Sequence, residues 1–444
     1  MAMKNTALRN AWVAALGGFL FGFDTAVISG VEKSIQSLWQ LSDVAHGFTV
    51  SAALWGTVLG SLLAGWPAEK YGRKRMLQVI GLLYLVTSLV TALTTSWGAF
   101  IVFRFLGGLG VGASSVVGPM YISEIAPAAR RGRLVALFQF NVVCGILVAF
   151  LSNYLLFDLG ENAWRWMLGV QAVPAFAFLA LVFLVPESPR WLLKGRRDTE
   201  AEQVLTEIGE ENPRAAAASI RASLAEGAKL GQEALFVKAY RKPIFLAVTL
   251  AMFNQLAGIN AIMYYAPRIF ELTGLAKDAS LLQSASIGLT NMVFTLLAIS
   301  VIDKFGRKTL MIIGSAGMVV TLGLVSYTFF VQDFGGINVM VYLIGFIAFF
   351  AFSQGSVIWV FISEIFPNQV RAKGQTLGSF THWIMAALIS WAFPILVERS
   401  PLGGAYAFAL FAVMMVLQFF FAWRLMPETK GRSLEQIQSD IIVH

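Results

Sequence analysis

Charged residues are scarce in this chain of 444 residues: Asp, Glu, Lys and Arg together make up 13%, against about a quarter in soluble domains. Its one cysteine, Cys144, can form neither an internal disulfide nor a cysteine metal site. The three histidines have no metal-ligand spacing, and no phosphate-binding loop GxxxxGK[ST] or nucleophile-base arrangement is recognisable. We therefore expect no metal, no cofactor, no nucleotide-driven motor and no enzymatic activity.

Apolar residues are abundant instead. They account for 57% of the chain, and the mean hydropathy is +0.70. A helix needs about 20 apolar residues to cross a bilayer, and such runs recur from end to end. The sequence thus predicts an all-α membrane protein with twelve transmembrane helices, at roughly 9–30, 47–66, 76–96, 98–121, 134–157, 164–186, 243–272, 281–302, 308–331, 337–362, 374–398 and 403–425.

The basic residues cluster on one side of this twelve-span arrangement. They lie in "EKYGRKR" (69–75), "RRGR" (130–133), "KGRR" (194–197), "YRKP" (240–243), "DKFGRK" (303–308), "RAK" (371–373) and "KGR" (430–432). The opposite loops hold little beyond Lys33, Arg268, Lys277 and Arg399. Because short loops rich in Lys and Arg stay in the cytoplasm, both termini are predicted to be cytoplasmic. The net charge of +8 therefore indicates topology and not a nucleic-acid partner.

Two motifs occur once in each half of the chain. "AEKYGRKRML" after span 2 matches "IDKFGRKTLM" after span 8, and "YISEIAPAARRG" after span 4 matches "FISEIFPNQVRA" after span 10. Repeats of this kind build secondary transporters, whose substrate binds between the halves near the middle of the membrane. The predicted domains are a six-helix half (1–186), a cytoplasmic linker of two or three short helices (187–242), a second six-helix half (243–426) and a cytoplasmic tail (427–444).

These motifs carry a resemblance to a known family. Together with "PESPRWLLKGR" after span 6, "PETKGRSLEQI" after span 12 and "NQLAGINAIMYY" in span 7, they make the chain similar to the sugar porters of the major facilitator superfamily. The resemblance extends over essentially the whole chain. It implies two homologous six-helix halves that expose a sugar site alternately to the two sides of the membrane.

A single carboxylate, Asp24, interrupts the apolar run "GGFLFGFDTAVISG" of span 1. Charged groups inside a membrane usually face the interior of the helix bundle and find a partner, and Arg104 is the only basic residue of span 4. The pair is either a static link between the two spans or a proton site whose affinity changes as the arginine moves. Resemblance favours the proton site, because proton-coupled sugar porters have Asp at this position and the similar animal facilitators have Asn.

Uncharged polar residues inside the spans predict the sugar site. Amides can both donate to and accept from sugar hydroxyls, and an aromatic ring can cover the C–H face of a sugar. The alternative is that each amide makes a hydrogen bond between helices. The positions that match the family's sugar ligands favour substrate binding by Gln139, Asn254, Gln255, Asn260, Asn291, Trp359, His382, Trp383 and Phe21.

Span 7 tests this interpretation. Asn254 and Asn260 would lie about 120° apart on an unbroken helix, so both reach one ligand only if the span bends, as Gly258 would permit. The chain also departs from the family pattern, since Asn254 replaces a usual Gln and His382 an amide in span 11. A packed or carbonyl-bonded histidine is the alternative reading of His382. Span 10 lacks the two prolines that usually precede the tryptophan.

The inner ends of the spans resemble the family's gating network. The predicted gating residues are Arg73, Glu124 and Arg131 in the first half, Arg307, Glu364 and Arg371 in the second, and Tyr264 and Tyr265 at the outer end of span 7. Ion pairs between the halves would stabilise the outward-open state. The alternatives are a solvated charge cluster that serves only topology, and tyrosines that only anchor a helix.

The sequence thus predicts a bacterial inner-membrane transporter that imports a hexose or pentose with a proton. It is expected to be a monomer whose partners are the sugar, the proton and the lipid bilayer. A proton-independent facilitator, a polyol or inositol transporter and a non-transporting sugar sensor remain alternatives. The short tail after span 12 argues against the sensor.

Overall fold

A computed structural model describes residues 4–127, 130–229, 234–334, 337–367 and 369–431. Throughout these ranges the regular structure is helical, with no β-strand, which confirms the predicted all-α fold. Twelve helical segments there are long and apolar enough to cross a membrane by length and composition, as predicted. Residues 230–233 of the predicted linker and 432–444 of the predicted tail lie outside the described residues.

The helices are numbered in chain order. Those before the linker are α1 Lys4–Val27, α2 Glu32–Leu38, α3 Asp43–Leu63, α4 Gly65–Tyr71, α5 Arg73–Leu93, α6 Trp97–Ile125, α7 Arg131–Leu156, α8 Ala163–Gly169 and α9 Ala172–Val182. Those of the linker are α10 Pro189–Lys194, α11 Asp198–Glu207 and α12 Pro213–Lys229. Those after it are α13 Arg241–Leu256, α14 Ile259–Glu271, α15 Lys277–Phe305, α16 Arg307–Val331, α17 Asn338–Phe352, α18 Gln354–Ile365, α19 Arg371–Glu398 and α20 Gly403–Arg424. Single 3-10 turns lie at Ile28–Gly30, Gly160–Asn162 and Lys238–Tyr240.

The chain forms two compact units. Unit 1 comprises Met1–Thr25, Gly56–Ala149 and Arg165–Gly231. Unit 2 comprises Ala26–Trp55, Phe150–Trp164 and Gln232–His444. Parts of the first six spans therefore pack within unit 2. The domain boundaries read from the sequence repeat remain a prediction.

Each unit has an apolar interior. In unit 1 the linker helices bury Leu193 and Leu205 together with Ala7 of α1, which explains why the Ala-rich and Leu-containing linker is helical. In unit 2 Leu250, Leu310 and Phe361 belong to one buried cluster. Many large apolar side chains of the spans are exposed, as expected where a helix faces lipid.

The repeated GRK motif begins a helix in each half. Gly72 before α5 and Gly306 before α16 have φ values of +99° and +89°, a region that favours glycine. A Cβ atom at either position would also lie 2.2 Å or 2.5 Å from a carboxylate oxygen of Glu187 or Glu428. The motif thus needs glycine because the chain turns sharply beside a carboxylate.

Two spans are interrupted. Span 7 breaks between α13 and α14 at Gly258, whose φ is +85°, so the bend expected from the sequence is confirmed. Span 10 breaks between α17 and α18 at Ser353, whose backbone is not helical. This break forms without the prolines that usually stand in this span. Both interruptions lie next to predicted sugar-binding residues.

Candidate functional site

Asp24 and Arg104 form a buried ion pair inside unit 1. Asp24 of α1 is 6% exposed and Arg104 of α6 is 3% exposed, and the Nη1 atom of Arg104 donates to Oδ1 of Asp24 over 2.8 Å. The Nε atom of Arg104 has no hydrogen-bond partner among the described residues. The predicted pairing of spans 1 and 4 is confirmed. An arginine with an unused donor beside one carboxylate is a partner that can change its contacts.

Four of the predicted sugar ligands form one hydrogen-bonded cluster in unit 2. The Nδ2 atom of Asn260 donates to Oε1 of Gln255 over 2.6 Å, and the Nε2 atom of Gln255 donates to Oδ1 of Asn254 over 3.0 Å. The same Nε2 atom lies 3.2 Å from Nε2 of His382. Asn254 in turn donates to the backbone carbonyl of Gln354 over 3.3 Å. The break at Gly258 thus brings Asn254 and Asn260 to one amide, Gln255.

Aromatic rings flank this amide cluster. The ring centroid of His382 lies 4.9 Å from that of Trp359 and 4.7 Å from that of Trp383. Trp383 is buried, whereas Trp359 is 38% exposed. A partly exposed indole beside satisfied amides can cover the apolar face of a sugar ring.

The other predicted ligands lie in both units. Asn291 of α15 is buried in unit 2. Gln139 of α7 and Phe21 of α1 are half-buried in unit 1. Substrate contact by any of these residues remains a prediction.

The bend at Gly258 allows a direct test. A Cβ atom there would lie 2.4 Å from the ring of Phe411, whereas Gly274, with the same φ of +85°, has open space around it. Each Gly→Ala substitution carries a backbone cost of about 1–2 kcal/mol. We therefore expect Gly258→Ala to lower the melting temperature more than Gly274→Ala, and to impair sugar counterflow. Equal effects of the two variants would contradict a close-packed bend.

Four of the predicted gating residues form matching networks, one in each unit. In unit 1 the Nε and Nη2 atoms of Arg73 donate to the two oxygens of Glu124 over 2.9 Å and 3.0 Å. In unit 2 the Nη2 atom of Arg307 donates to Oε1 of Glu364 over 2.8 Å. Each pair lies within a single unit. Their role as a gate between the halves remains a prediction.

The sequence analysis missed four members of these networks. Glu187 and Glu428 accept backbone N–H bonds from the starts of α5 and α16, and Ser188 and Thr429 donate their hydroxyls to Glu124 and Glu364. The sequence pattern that could have identified them is the repeat of "PES" after span 6 as "PET" after span 12. Burial raises the pKa of Glu187, although N–H donors, first that of Ser188, oppose this effect.

The remaining gating candidates contact the backbone. The Nε atoms of Arg131 and Arg371 donate to the carbonyls of Ser123 and Phe366 over 3.1 Å and 3.2 Å, and neither arginine forms an ion pair within the described ranges. The gating role of these two arginines remains a prediction from the family resemblance and from their matching positions in the two repeats.

Tyr264 and Tyr265 are both buried on α14. The hydroxyl of Tyr265 donates to the carbonyl of Ser390 over 3.0 Å, and its ring packs against Phe393. Tyr265 has non-helical backbone angles two residues before Pro267, so α14 is kinked at this tyrosine. The kink is a place where the half-helix can bend.

The comparison with known families agrees with this arrangement. The model of the family described as sugar (and other) transporter matches residues 10–441. The chain belongs to this transporter family. The chain is 36% identical to the D-xylose-proton symporter of Escherichia coli strain K12, over 96% of this chain and 94% of that protein. It is 37% identical to the arabinose-proton symporter of Bacillus subtilis strain 168, over 96% of this chain and 93% of that protein.

Solved structures show the same fold. The chain matches the xylose transporter XylE from E. coli, in a partially occluded inward-open conformation, with a TM-score of 0.86 at 34% identity over 97% of this chain and 100% of that chain. It also matches the major facilitator superfamily proton:xylose symporter bound to 6-bromo-6-deoxy-D-glucose, with a TM-score of 0.80 at 34% identity over 98% and 99% of the two chains. The predicted major facilitator fold is confirmed, and the protein is a multi-pass membrane transporter.

Proposed function

We propose that this transporter carries a monosaccharide together with a proton by alternating access. The observation that carries the proposal is the buried pair of Asp24 and Arg104, with 2.8 Å between the charged atoms. Ionisable groups inside a membrane are costly and mark ion or substrate pathways. Relatives named as D-xylose-proton and arabinose-proton symporters support both the class of sugar and the coupling to protons.

The proton acts through the charge on Asp24. While Asp24 is ionised, Arg104 binds it and links spans 1 and 4. A proton on Asp24 removes that charge, so the link weakens and the outward-facing, sugar-accepting state is favoured. When the proton leaves toward the cytoplasm the pair forms again, and Arg104 holds the proton-free state.

The sugar binds by replacing hydrogen bonds within the amide cluster. Gln255 already uses both its carbonyl oxygen and its amino group in hydrogen bonds within the protein, and Asn254 does the same. Sugar hydroxyls both donate and accept, so they can take over these bonds without leaving a buried amide unpaired. Trp359 covers the ring, and His382 donates to or accepts from a hydroxyl.

The networks of Arg73 and Arg307 keep the inner ends of the spans in defined positions. Each arginine holds a carboxylate of its own unit, and that carboxylate is also bound by a hydroxyl from the PES or PET segment. We assign this side to the cytoplasm, with both termini, because the basic clusters lie there. The inner membrane of a bacterium and a monomeric state complete the proposal.

Uptake by proteoliposomes tests the proposal. The vesicles are given an inward proton gradient, and glucose, galactose, xylose, arabinose, fructose and inositol are offered in turn as labelled substrates. We expect accumulation of at least one monosaccharide above its external concentration, abolished by an uncoupler. Equilibration without accumulation would indicate a facilitator, accumulation of inositol alone a polyol transporter, and binding without uptake a sensor.

A further inference from the structure

A second group of charged and polar side chains, three of them buried, lies in unit 2. We call it the outer charge cluster, because the proposed topology places it on the extracellular side. It consists of Glu32 and Gln36 of α2, His46 of α3, Arg268 of α14 and Glu398 of α19. Glu32, His46 and Arg268 are 1%, 0% and 5% exposed. All five residues belong to unit 2.

Glu32 contacts both Arg268 and His46. Its Oε1 atom accepts from Nε of Arg268 over 3.0 Å, and its Oε2 atom lies 2.7 Å from Nε2 of His46. Arg268 also donates through Nη1 to Oε1 of Glu398 over 3.2 Å and through Nη2 to Gln36. Nδ1 of His46 has no hydrogen-bond partner in the described part of the chain. Arg268 is thus held by two carboxylates and one amide, and Glu32 is its buried partner.

The outer charge cluster joins segments from the two halves of the sequence. Glu32 lies on α2, which follows span 1, and His46 lies in the first turn of span 2. Arg268 lies near the end of α14, the second half-helix of span 7. The same half-helix starts at the Gly258 break and carries Asn260 of the amide cluster. Any movement of α14 away from α2 must separate Arg268 from Glu32.

A contact between α2 and α14 that must both form and separate is better made by paired charges than by apolar packing alone. Removing both partners of an ion pair from water costs about as much as their attraction returns, so a buried pair contributes little net stability. When the segments separate, each charge regains its hydration. A charge-matched contact therefore closes specifically and still opens readily, whereas a single unmatched charge favours the open state.

We propose that Glu32 and Arg268 form a charge-matched lock that closes the extracellular side of the transporter. This inference rests on the proposed alternating-access function. The lock holds α2 and α3 against α14 in the closed state, and its opening exposes both charges to water. Glu398, whose side chain is 42% exposed, is the more exposed of the two carboxylates that pair with Arg268.

The chain supplies a matched control. Lys33 and Glu271 form an ion pair between the same two segments, but their side chains are 43% and 22% exposed. Exposed pairs of this kind contribute little to stability. Replacing them alters a link between α2 and α14 without leaving a buried charge unmatched.

Hydrogen exchange of the purified full-length protein tests the lock without added sugar. Glu32→Gln and Arg268→Gln each remove one charge of the buried pair and leave the other without it, so we expect exchange about tenfold faster or more in peptides covering residues 31–38 and 264–271. The double variant Glu32→Gln/Arg268→Gln removes both charges of this pair together, and we expect its exchange to return to the wild-type rate. Lys33→Gln should change these rates less than about twofold.

The double variant decides between a lock and a merely structural contact. If these side chains act only through their packing, the double variant will exchange at least as fast as the faster single variant, and the proposal is overturned. Unchanged exchange in both single variants would also overturn it. A protein that transports no sugar but shows the rescue would contradict the proposed function while leaving the charge-matched closure in place.

Discussion

Sugar accumulation is expected to disappear in Asp24→Asn, while exchange of labelled for unlabelled sugar across the membrane continues. An asparagine has nearly the shape of a protonated aspartate and cannot ionise, so the variant is held in the proton-bound form. One pH unit across the membrane is worth about 1.4 kcal/mol, which allows about tenfold accumulation when one proton is coupled to each sugar. Without coupling, the sugar only equilibrates.

Two variants define this experiment. Asp24→Glu retains a titratable carboxylate beside Arg104 and should keep part of the accumulation, although its longer side chain alters the 2.8 Å contact. Accumulation and exchange are measured in the same proteoliposomes, with and without the pH gradient. Full accumulation by Asp24→Asn would show that Asp24 is only a structural partner of Arg104. Loss of exchange together with accumulation would indicate a folding defect.

Loss of sugar binding is expected in Gln255→Leu. Gln255 is 1% exposed and contacts Asn254, Asn260 and His382, so it connects the whole amide cluster. Leucine has a similar size but offers no hydrogen bond, and the neighbouring amides lose their partner. Each unsatisfied buried polar group costs about 1–3 kcal/mol, and each 1.4 kcal/mol lost from binding weakens affinity about tenfold. We expect sugar affinity to fall tenfold or more.

Gln418→Leu is the matched control. Gln418 is equally buried in unit 2, where its Nε2 atom donates to Oγ of Ser315 over 2.8 Å and its Oε1 atom accepts from Gln354. It lies outside the predicted sugar-binding set. We expect its replacement to lower the melting temperature but to leave sugar affinity unchanged, as measured by titration calorimetry. If both variants lose affinity equally, the amides stabilise the fold and do not select the sugar.

Much of the fold was predictable because membrane spans are specified locally. A continuous apolar run of suitable length has few alternatives in a bilayer, so the twelve spans followed from the sequence. The break in span 7 also followed, since two amides at unsuitable helical spacing flank Gly258. The break at Ser353 was less apparent, because it depends on how α17 and α18 pack and carries no proline signal.

The ion pair of Asp24 and Arg104 was predictable for a related reason. Asp24 and Arg104 are single charges in apolar spans, so few other partners were available to either residue. The matching roles of Glu187 and Glu428 required three-dimensional information. In the sequence, Glu187 and Glu428 each stand between a proline and a serine or threonine, a pattern typical of loops. Only folding brings them to the starts of α5 and α16, where they accept backbone N–H bonds.

The outer charge cluster was missed for the same reason. Arg268 was assigned to an outer loop because the sequence places it near the end of an apolar run, yet the structure buries it on α14. Glu32 stands beside Lys33 in a polar segment that resembles a solvated loop. Their pairing joins residues 236 positions apart, which no local pattern indicates.

Proton movement upon addition of sugar tests the central claim most directly. Cells in weak buffer, or proteoliposomes that contain the transporter, receive a sugar found in the uptake panel while the external pH is recorded, with Asp24→Asn measured in parallel. We predict that the sugar makes the external medium alkaline with the wild-type protein and leaves it unchanged with the variant. Sugar uptake by the wild type without any change in external pH would contradict proton symport.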